Sequence, residues 1–239
     1  MKEYYDILIN GIPTGIRVRR IMRGKAWTGA ELDNGGFGIA MRTAGQSIKR
    51  LFPSLEGMEA AEAAQAVMSW NMEEASEGMA VINAYYNSPS RMASLGCRDD
   101  YNRRVTAGME TKGKKIALIG HLKLHPDALM GAKEVYIMDR EPHEGDYPDS
   151  ACEYILPGCD MVIITGSAAV NKTMPRLLEL SKSAQTIVVG PTVPLCPELK
   201  SCGIARLSGL VVTDVEGITG WMTEVKGSPY PFGETFTIY

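Results

Sequence analysis

Apolar and polar residues alternate along the N-terminal part of the chain, which predicts strands. In residues 16–22, Ile and Val alternate with Arg, and two further strand-like runs follow at 26–32 and 37–41. The Asn34-Gly35-Gly36 segment between the last two runs is a strong hairpin signal. The pattern predicts an antiparallel meander of three strands, preceded by a short helix over the first ten or so residues.

The period of the apolar positions changes to that of a helix over residues 58–87. Ser69 and Asn71 predict a break between two helices, because short polar side chains compete for backbone hydrogen bonds. Helices packed on a small antiparallel sheet make the first domain α+β. Residues 88–113 lack a clean period and predict a connection with a short helix inside, so the domain boundary is expected near their end.

After Lys115 the pattern of apolar positions changes again and predicts alternating strands and helices. Short continuous apolar runs at 116–120, 135–139, 161–166 and 186–190 are typical of buried parallel strands. Helical patterns separate them at 150–156, 170–184 and 197–202, and residues 210–213 predict a fifth strand. This alternation predicts a doubly wound, Rossmann-like α/β sheet.

Composition places the chain among ordinary globular proteins. Hydrophobic residues make up 45% and charged residues 22% of its 239 residues, and the formal net charge is -3. This balance gives no electrostatic reason to bind nucleic acid. The N-terminus lacks the features of a signal peptide and no apolar run is long enough for a membrane span, so a cytoplasmic protein without membrane insertion is predicted. Five cysteines without CxxC spacing predict reduced thiols.

The ends of the four predicted parallel strands are the expected place for a ligand. In open parallel sheets, ligands bind beyond the carboxyl ends of the strands, near the point where the strand order reverses. The rule selects four loops, which contain Gly120-His121, Asp139, Thr165-Gly166-Ser167 and Gly190-Pro191-Thr192. Glycine at three of these strand ends allows backbone to approach a ligand closely.

The first of these loops has no dinucleotide fingerprint. Gly120 opens the sequence GHLKLHP rather than GxGxxG, which counts against NAD or FAD in the usual pose. Asp139 nevertheless lies nineteen positions after Gly120, where an acidic residue accepts hydrogen bonds from ribose hydroxyls. The alternative for Asp139 is an ion pair with Arg140 at the strand end.

Residues 166–173 nearly form a P-loop. Asn171 replaces the second glycine of the motif, and Lys172 and Thr173 complete it, which weakens the case for an ATPase or GTPase. A simpler hypothesis is that Ser167 or a neighbour caps the following helix, whose N–H groups favour an anionic ligand group.

Metal and acid–base chemistry have weaker support. His121 and His125 are four positions apart, which places both on one face only if the loop is helical. The cysteines lack the spacing of a closed zinc site and are expected to be buried and inert. Acid–base candidates are Glu73, Glu74, Glu77, Glu141, Glu144 and Asp146. Asn71 and Glu74 also form a polar stripe beside Trp70 that could face the second domain.

The sequence resembles a prokaryotic heavy-metal chelation family. Its two domains were formerly described as domains of unknown function. The segments that carry the resemblance span nearly the whole chain: Trp27-Thr28, residues 36–40, residues 69–84, Gly120-His121, residues 145–149, Leu156-Pro157, Thr165-Gly166, residues 171–173, residues 190–194 and residues 207–209. The resemblance implies an enolase N-terminal-like α+β domain with its connecting segment at 1–112, and a Rossmann-like ligand-binding domain at 113–239. It also implies a presumed active site between them and a link to heavy-metal handling. Asp139 stands where the resemblance implies Glu and is one methylene shorter.

The strand-end loops and the family resemblance both predict a small-molecule site in a cleft between the domains. Since the cysteines are scattered, we expect a protein or enzyme that binds or processes a metal chelator or metal complex. One alternative is an enzyme that uses S-adenosylmethionine or a nucleotide, and another is a non-catalytic metabolite-sensing module. The sequence leaves open whether the chain forms a homo-oligomer. The expected ligand-binding residues are Trp70, Asn71, Glu74, Gly120, His121, Asp139, Thr165, Gly166, Ser167, Asn171, Lys172, Thr173, Gly190, Pro191 and Thr192. In this hypothesis Gly166 and residues 171–173 hold an anionic group, Asp139 holds hydroxyls or amines, and the Asn71–Glu74 stripe closes the cleft.

Overall fold

The chain folds into a three-stranded antiparallel sheet and a larger, mostly parallel sheet. A computed structural model describes residues 2–43, 49–95, 106–224 and 226–239. Cys97 lies outside these ranges. None of the helices within them is long and apolar enough to span a bilayer.

The first half contains the predicted helix and meander. Helix α1 spans Lys2–Asn10, and strands β1 (Val18–Arg23), β2 (Trp27–Leu32) and β3 (Phe37–Met41) pair in that order, all antiparallel. Gly35 adopts φ +85° in the turn between β2 and β3. The left-handed backbone of this turn explains why Asn-Gly indicated a hairpin.

Further helices follow the meander in the first half, and the longest of them packs directly on this sheet. They are α2 (Ala60–Ala63), a 3-10 helix (Ala64–Met68), α3 (Met72–Tyr86) and α4 (Pro89–Ser94). The break falls where the sequence predicted it, because the Asn71 side chain accepts a hydrogen bond from the N–H of Glu74 and so begins α3. A Cβ at Gly38 would lie 2.1 Å from the Ala84 nitrogen, so backbone touches backbone where α3 crosses β3.

The second half contains a seven-stranded sheet. Its strands are β4 (Lys115–Ile119), β5 (Glu134–Asp139), β6 (Tyr147–Pro148), β7 (Met161–Thr165), β8 (Gln185–Val189), β9 (Ile204–Val212) and β10 (Gly233–Ile238). Their order is β10-β9-β8-β7-β4-β5-β6, with β10 antiparallel to β9 and the other pairs parallel. The strand order therefore reverses between β4 and β7, as in Rossmann sheets.

Helices connect these strands less regularly than the pattern predicted. They are α5 (Cys152–Ile155), α6 (Ser167–Val170), α7 (Met174–Leu180) and α8 (Val215–Glu224). The single helix expected at 170–184 is instead α6 and α7, separated at residues 171–173, and the helix at 197–202 is a 3-10 helix. The sequence did not predict β6, β10 or α8, and β9 begins six residues earlier than its expected start at 210.

The two halves meet through one continuous apolar core and a polar junction. Buried residues of α1 and α3 pack in the same cluster as those of β4, β7 and β9. The Trp27 and Trp221 rings, one from each half, lie 5.8 Å apart. At the junction, Asn83 Nδ2 donates to Thr192 O at 3.1 Å, and Asn87 Nδ2 donates to Val193 O at 2.8 Å. These contacts hold the loop after β8 against α3.

Candidate functional site

A cavity of about 710 Å³ opens at the carboxyl ends of β4, β5 and β7. It lies at the reversal of strand order, where ligands bind in open parallel sheets. Residues 41–43, which end and follow β3, contribute to its wall from the first half of the chain. The cavity is thus bounded by both sheets, and its size is typical of a small-molecule site.

Both apolar and polar side chains line the cavity. The apolar residues include Ile119, Leu122, Met138, Ala168, Leu177 and Leu180. Thr165, Ser167, Asn171 and Thr173 place hydroxyl and amide groups on the side formed by β7 and the start of α6 and α7. This distribution suits a ligand with an apolar body and a few hydrogen-bonding groups.

Gly120 allows close packing at the point where the strand order reverses. Its φ is +94°, a left-handed conformation that favours glycine, and a Cβ there would lie 3.0 Å from Thr165 Cγ2. Asp139 follows on the neighbouring strand, where its Oδ1 accepts a hydrogen bond from Glu141 N–H at 2.9 Å. Asp139 Oδ2 lies 3.5 Å from His121 Nδ1.

The arginines of the cavity wall are engaged by carboxylates. Arg176 Nε donates to Glu153 at 2.8 Å and its Nη1 to Glu179 at 2.6 Å. Arg42 is hydrogen-bonded to Glu73, and Arg140 Nε lies 3.7 Å from Asp149. The described wall therefore offers little unpaired positive charge to a ligand.

Three potential metal ligands gather beside the cavity. His121 Nε2 and Asp146 Oδ2 are 2.7 Å apart, and the His121 and His143 rings stack with centroids 3.9 Å apart. The hydrogen bond with Asp146 raises the pKa of His121 above its ordinary value. The same bond, together with the His143 N–H, holds the pKa of Asp146 below its usual range. His121 belongs to the cavity wall, which places this cluster at the cavity's edge.

The described cysteines form no comparable group. Cys152, Cys159 and Cys196 are buried, and Cys202 is half-buried. Burial raises the pKa of Cys152 to about 11 and that of Cys196 to about 12. Thiols with raised pKa values are poor metal ligands, since the thiolate is the form that coordinates. The single cluster of metal-ligand type in the described ranges combines imidazole and carboxylate: His121, His143 and Asp146.

Comparison with known proteins identifies the family. The DUF364 model matches residues 106–229, more than half of the chain, and the DUF4213 model matches residues 5–86; both are described as "Putative heavy-metal chelation". The chain belongs to the DUF364 family.

Solved structures of DUF364 proteins share the fold of this member. A protein of unknown function from Desulfitobacterium hafniense is 37% identical and superimposes with a TM-score of 0.88 over 99% of this chain and 97% of its own. A second, PH1506 from Pyrococcus horikoshii, is 24% identical with a TM-score of 0.78 over 99% and 96% of the two chains, which shows the fold alone. The uncharacterized protein MJ0500 of Methanocaldococcus jannaschii is 29% identical over 62% of this chain and 58% of its own length.

In this DUF364 protein, about half of the expected binding residues line the cavity. They are Gly120, His121, Asp139, Thr165, Ser167, Asn171 and Thr173. These residues come from three strand ends and the α6–α7 connection. The rule that ligands bind at strand ends selected the first five of these residues without any knowledge of strand order. The resemblance of residues 166–173 to a P-loop singled out Asn171 and Thr173.

The third and fourth loops have additional packing roles. A Cβ at Gly166 would lie 2.8 Å from Val193 N, so Gly166 packs against the loop after β8. In that loop, Gly190 has φ +116° and Thr192 Oγ1 accepts a hydrogen bond from Met41 N–H at 3.0 Å. Gly166, Gly190, Pro191 and Thr192 do not line this cavity, and a ligand-binding role for them stays a prediction.

Lys172 and the Trp70–Glu74 segment also lie outside the cavity wall. The Lys172 ammonium donates to Val170 O at 2.8 Å. Asn71 caps α3, and the buried Glu74 carboxylate accepts N–H bonds from Leu51 and Phe52 at 3.0 and 2.7 Å. Trp70 is 65% exposed. Their expected ligand contacts remain predictions.

Several residues in the cavity wall or beside it were not predicted from the sequence as site residues. Arg42 and Thr43 follow an antiparallel strand, where no strand-end rule applies, and Arg176 lies on α7. Ser150 and Cys152 follow β6, a strand of only two residues. His143 carried no signal, although Asp146 three residues later was an acid–base candidate. Their approach to His121 depends on a turn whose Gly145 has φ +93°.

Proposed function

We propose that this DUF364 protein binds a small organic molecule of the metal-chelating class in the cleft between its two halves. The observation that carries the proposal is the cavity at the reversal of strand order, which is lined by both apolar and polar side chains. The family description supports the chelator class. The scattered, buried cysteines favour a bound chelator over an ion held by thiolates.

The charge of the cavity wall favours a neutral or cationic ligand over an anion. The arginines at positions 42, 140 and 176 face carboxylates, and Lys172 donates to a backbone oxygen outside the wall. Asp139 and Glu141 add negative charge at the end of β5. A ligand that presents hydroxyl, amine or metal-bound groups to Asp139 fits this arrangement.

A nucleoside-containing cofactor such as S-adenosylmethionine is the second candidate. Asp139 ends the strand beside β4, and Gly120 follows β4 directly. In Rossmann sheets an acidic residue at this place accepts hydrogen bonds from ribose hydroxyls. Both candidate ligands would donate hydrogen bonds to Asp139, but the rest of the ligand differs in its chemistry.

Thermal-shift measurements with defined probes separate the two candidates. Probes are the uncharged Ga³⁺ complex of a trihydroxamate, the same chelator without metal, S-adenosylmethionine and adenosine. Binding to the folded state raises the melting temperature by mass action. Stabilisation by a chelator or its complex supports the proposal. Stabilisation by S-adenosylmethionine and adenosine alone would instead support a nucleoside-containing cofactor as the ligand.

Asp139→Asn tests whether the bound probe occupies this cavity. We expect the substitution to raise the dissociation constant about tenfold, because a charged hydrogen bond is lost. Glu216→Gln, an exposed carboxylate-to-amide change on α8, is the matched control and should bind as the wild type does. Calorimetric titration gives both values. If no probe stabilises the protein and no small molecule co-purifies with it, the proposed function is wrong.

A further inference from the structure

Two of the three histidines in the sequence come together in one cluster. The His121 and His143 rings are nearly parallel, with an interplanar angle of 8° and centroids 3.9 Å apart. Asp146 Oδ2 lies 2.7 Å from His121 Nε2 and 4.0 Å from His143 Nδ1. One nitrogen from each ring and one carboxylate oxygen therefore lie within 4.8 Å of one another.

The backbone holds the carboxylate of this cluster in place. Asp146 Oδ2 accepts the His143 N–H at 2.8 Å, and Asp146 N–H donates to His143 O at 3.0 Å across the turn. The Asp146 side chain is only 9% exposed, although both imidazoles reach solvent. The turn that places His143 over His121 thus also fixes the third potential ligand.

A further carboxylate lies behind His121. Asp139 Oδ2 is 3.5 Å from His121 Nδ1, the ring nitrogen opposite the one that faces Asp146. Metal-binding histidines commonly donate their other ring N–H to a carboxylate, which fixes the tautomer and the ring orientation. With Nδ1 directed at Asp139, His121 Nε2 is left as the coordinating nitrogen.

We propose that His121, His143 and Asp146 bind one divalent first-row transition-metal ion at the edge of the cavity. Imidazole and carboxylate ligands suit Ni²⁺, Co²⁺ and Zn²⁺, which bind at about 2.0–2.2 Å from nitrogen and oxygen. Neighbouring ligand atoms around such an ion lie about 3 Å apart, and the ion must lie in the plane of each coordinating imidazole. Because the two rings are stacked nearly parallel, the His143 ring must turn out of the stack to direct a nitrogen at the ion, and its exposed side chain has room to do so. The site forms without any organic ligand and so stands independently of the proposed function.

Two histidines and one carboxylate leave coordination positions open. Such a three-ligand set is typical of sites that keep places for water or an exchangeable ligand, unlike closed structural zinc sites. Because His121 also lines the cavity, the open positions adjoin the space in which a small molecule would lie. The absence of cysteine from the site disfavours soft, thiol-seeking ions.

Titration of untagged, metal-free protein with Co²⁺ tests the site directly. We expect one equivalent to bind, with d–d absorption bands and with one hyperfine-shifted, exchangeable N–H signal in the proton NMR spectrum for each coordinated imidazole. His143→Ala and Asp146→Asn should each weaken binding at least about tenfold. His143→Ala should also remove one of the N–H signals, which a purely structural role of His143 would not do.

The chain provides a matched control in its third histidine. His125 is exposed and lies outside the cluster, so His125→Ala should retain the affinity and both N–H signals. Asn at position 146 can still accept the His143 N–H, so this variant should fold normally, as circular dichroism can verify. Unaltered affinity in His143→Ala and Asp146→Asn, or an equal loss in His125→Ala, would overturn the assignment. These outcomes do not depend on whether the cavity binds a chelator.

Discussion

The Lys172 side chain places an ammonium group in a half-buried position. Its Nζ donates to Val170 O at 2.8 Å, and the residue itself has φ +70°. Burial lowers the pKa of Lys172 to about 8, from 10.5 for a free side chain. Between these two values the unfolded chain binds more protons than the folded protein, so the contribution of Lys172 to stability increases with pH across this window.

Lys172→Met should therefore change stability in a pH-dependent way. Near pH 7 the wild type bears the cost of a buried charge, which the variant lacks. As the pH rises to about 10.5, the free energy of unfolding of the wild type should gain about 1–3 kcal/mol relative to the variant. Urea denaturation at several pH values measures this difference, and the exposed Lys112→Met gives the background. A constant difference between wild type and Lys172→Met would show that the Lys172 pKa is not lowered.

Site residues could be predicted from sequence only where the backbone alone decides their position. Asp139 ends β5 and Gly120 follows β4, and parallel strands bring their carboxyl ends to one edge of the sheet. The direction of a side chain within a loop depends on individual dihedral angles. Lys172 follows a short helix in a left-handed conformation and lies outside the cavity wall, although its neighbours Asn171 and Thr173 line it.

At the scale of elements, two strand-end glycines differ in what an added Cβ would contact. Gly120 and Gly190 both have positive φ, +94° and +116°. A Cβ at Gly120 would meet Thr165 Cγ2 at 3.0 Å, whereas a Cβ at Gly190 would have no atom within 4 Å. Alanine at Gly190 therefore introduces backbone strain alone, while alanine at Gly120 adds a steric contact between β4 and β7.

Gly190→Ala should lower the free energy of unfolding by about 1–2 kcal/mol through backbone strain. Gly120→Ala should cost more than Gly190→Ala, since Thr165 must move as well. Chemical denaturation of both variants measures the two effects, and calorimetry with a probe that binds the wild type measures the effect on the cavity. We expect Gly120→Ala alone to weaken that binding. Equal losses of stability in the two variants would mean that the contact of the added Cβ at Gly120 with Thr165 costs no free energy of unfolding.

Elements were predictable where burial imposes a simple pattern. The central strands β4, β7 and β8 are covered on both faces and read as continuous apolar runs. Helix α8 gave no such signal because it contains Gly217 and Gly220, which are poor helix formers. Its start depends instead on Asp214, whose Oδ1 accepts the Gly217 N–H at 2.8 Å. The two residues of β6 are too few to establish any period.

At the scale of the whole molecule, the sequence predicts a boundary near residue 112, yet the two sides share a core. Buried Tyr5 donates its hydroxyl to Ala169 O at 2.7 Å across the junction. The family models match residues 5–86 and 106–229 separately. Sequence periodicity finds elements but does not record which faces pack together, so it could not predict that α3 would share one apolar cluster with the second half of the chain.

Asn87 provides the sharpest test of coupling between the halves. Its amide donates to Val193 O and Leu210 O at 2.8 and 3.1 Å, and its Oδ1 accepts the Leu195 N–H at 2.8 Å. Asn87→Ala leaves these buried groups without their partner, and we expect a loss of about 2–4 kcal/mol. Because the core is continuous, the loss should appear in one cooperative transition.

Two probes distinguish coupled from independent unfolding of the halves. Tryptophan fluorescence reports on the Trp27–Trp221 contact, and hydrogen exchange reports on the amides of β7 in the centre of the second sheet. In Asn87→Ala both signals should shift together, whereas the exposed Asn10→Ala should leave both unchanged. If β7 keeps its full protection while the fluorescence transition moves to lower denaturant, the halves unfold separately. The interface would then hold two autonomous domains in contact, and the cavity wall formed by residues 41–43 could separate from the strand ends without unfolding either sheet.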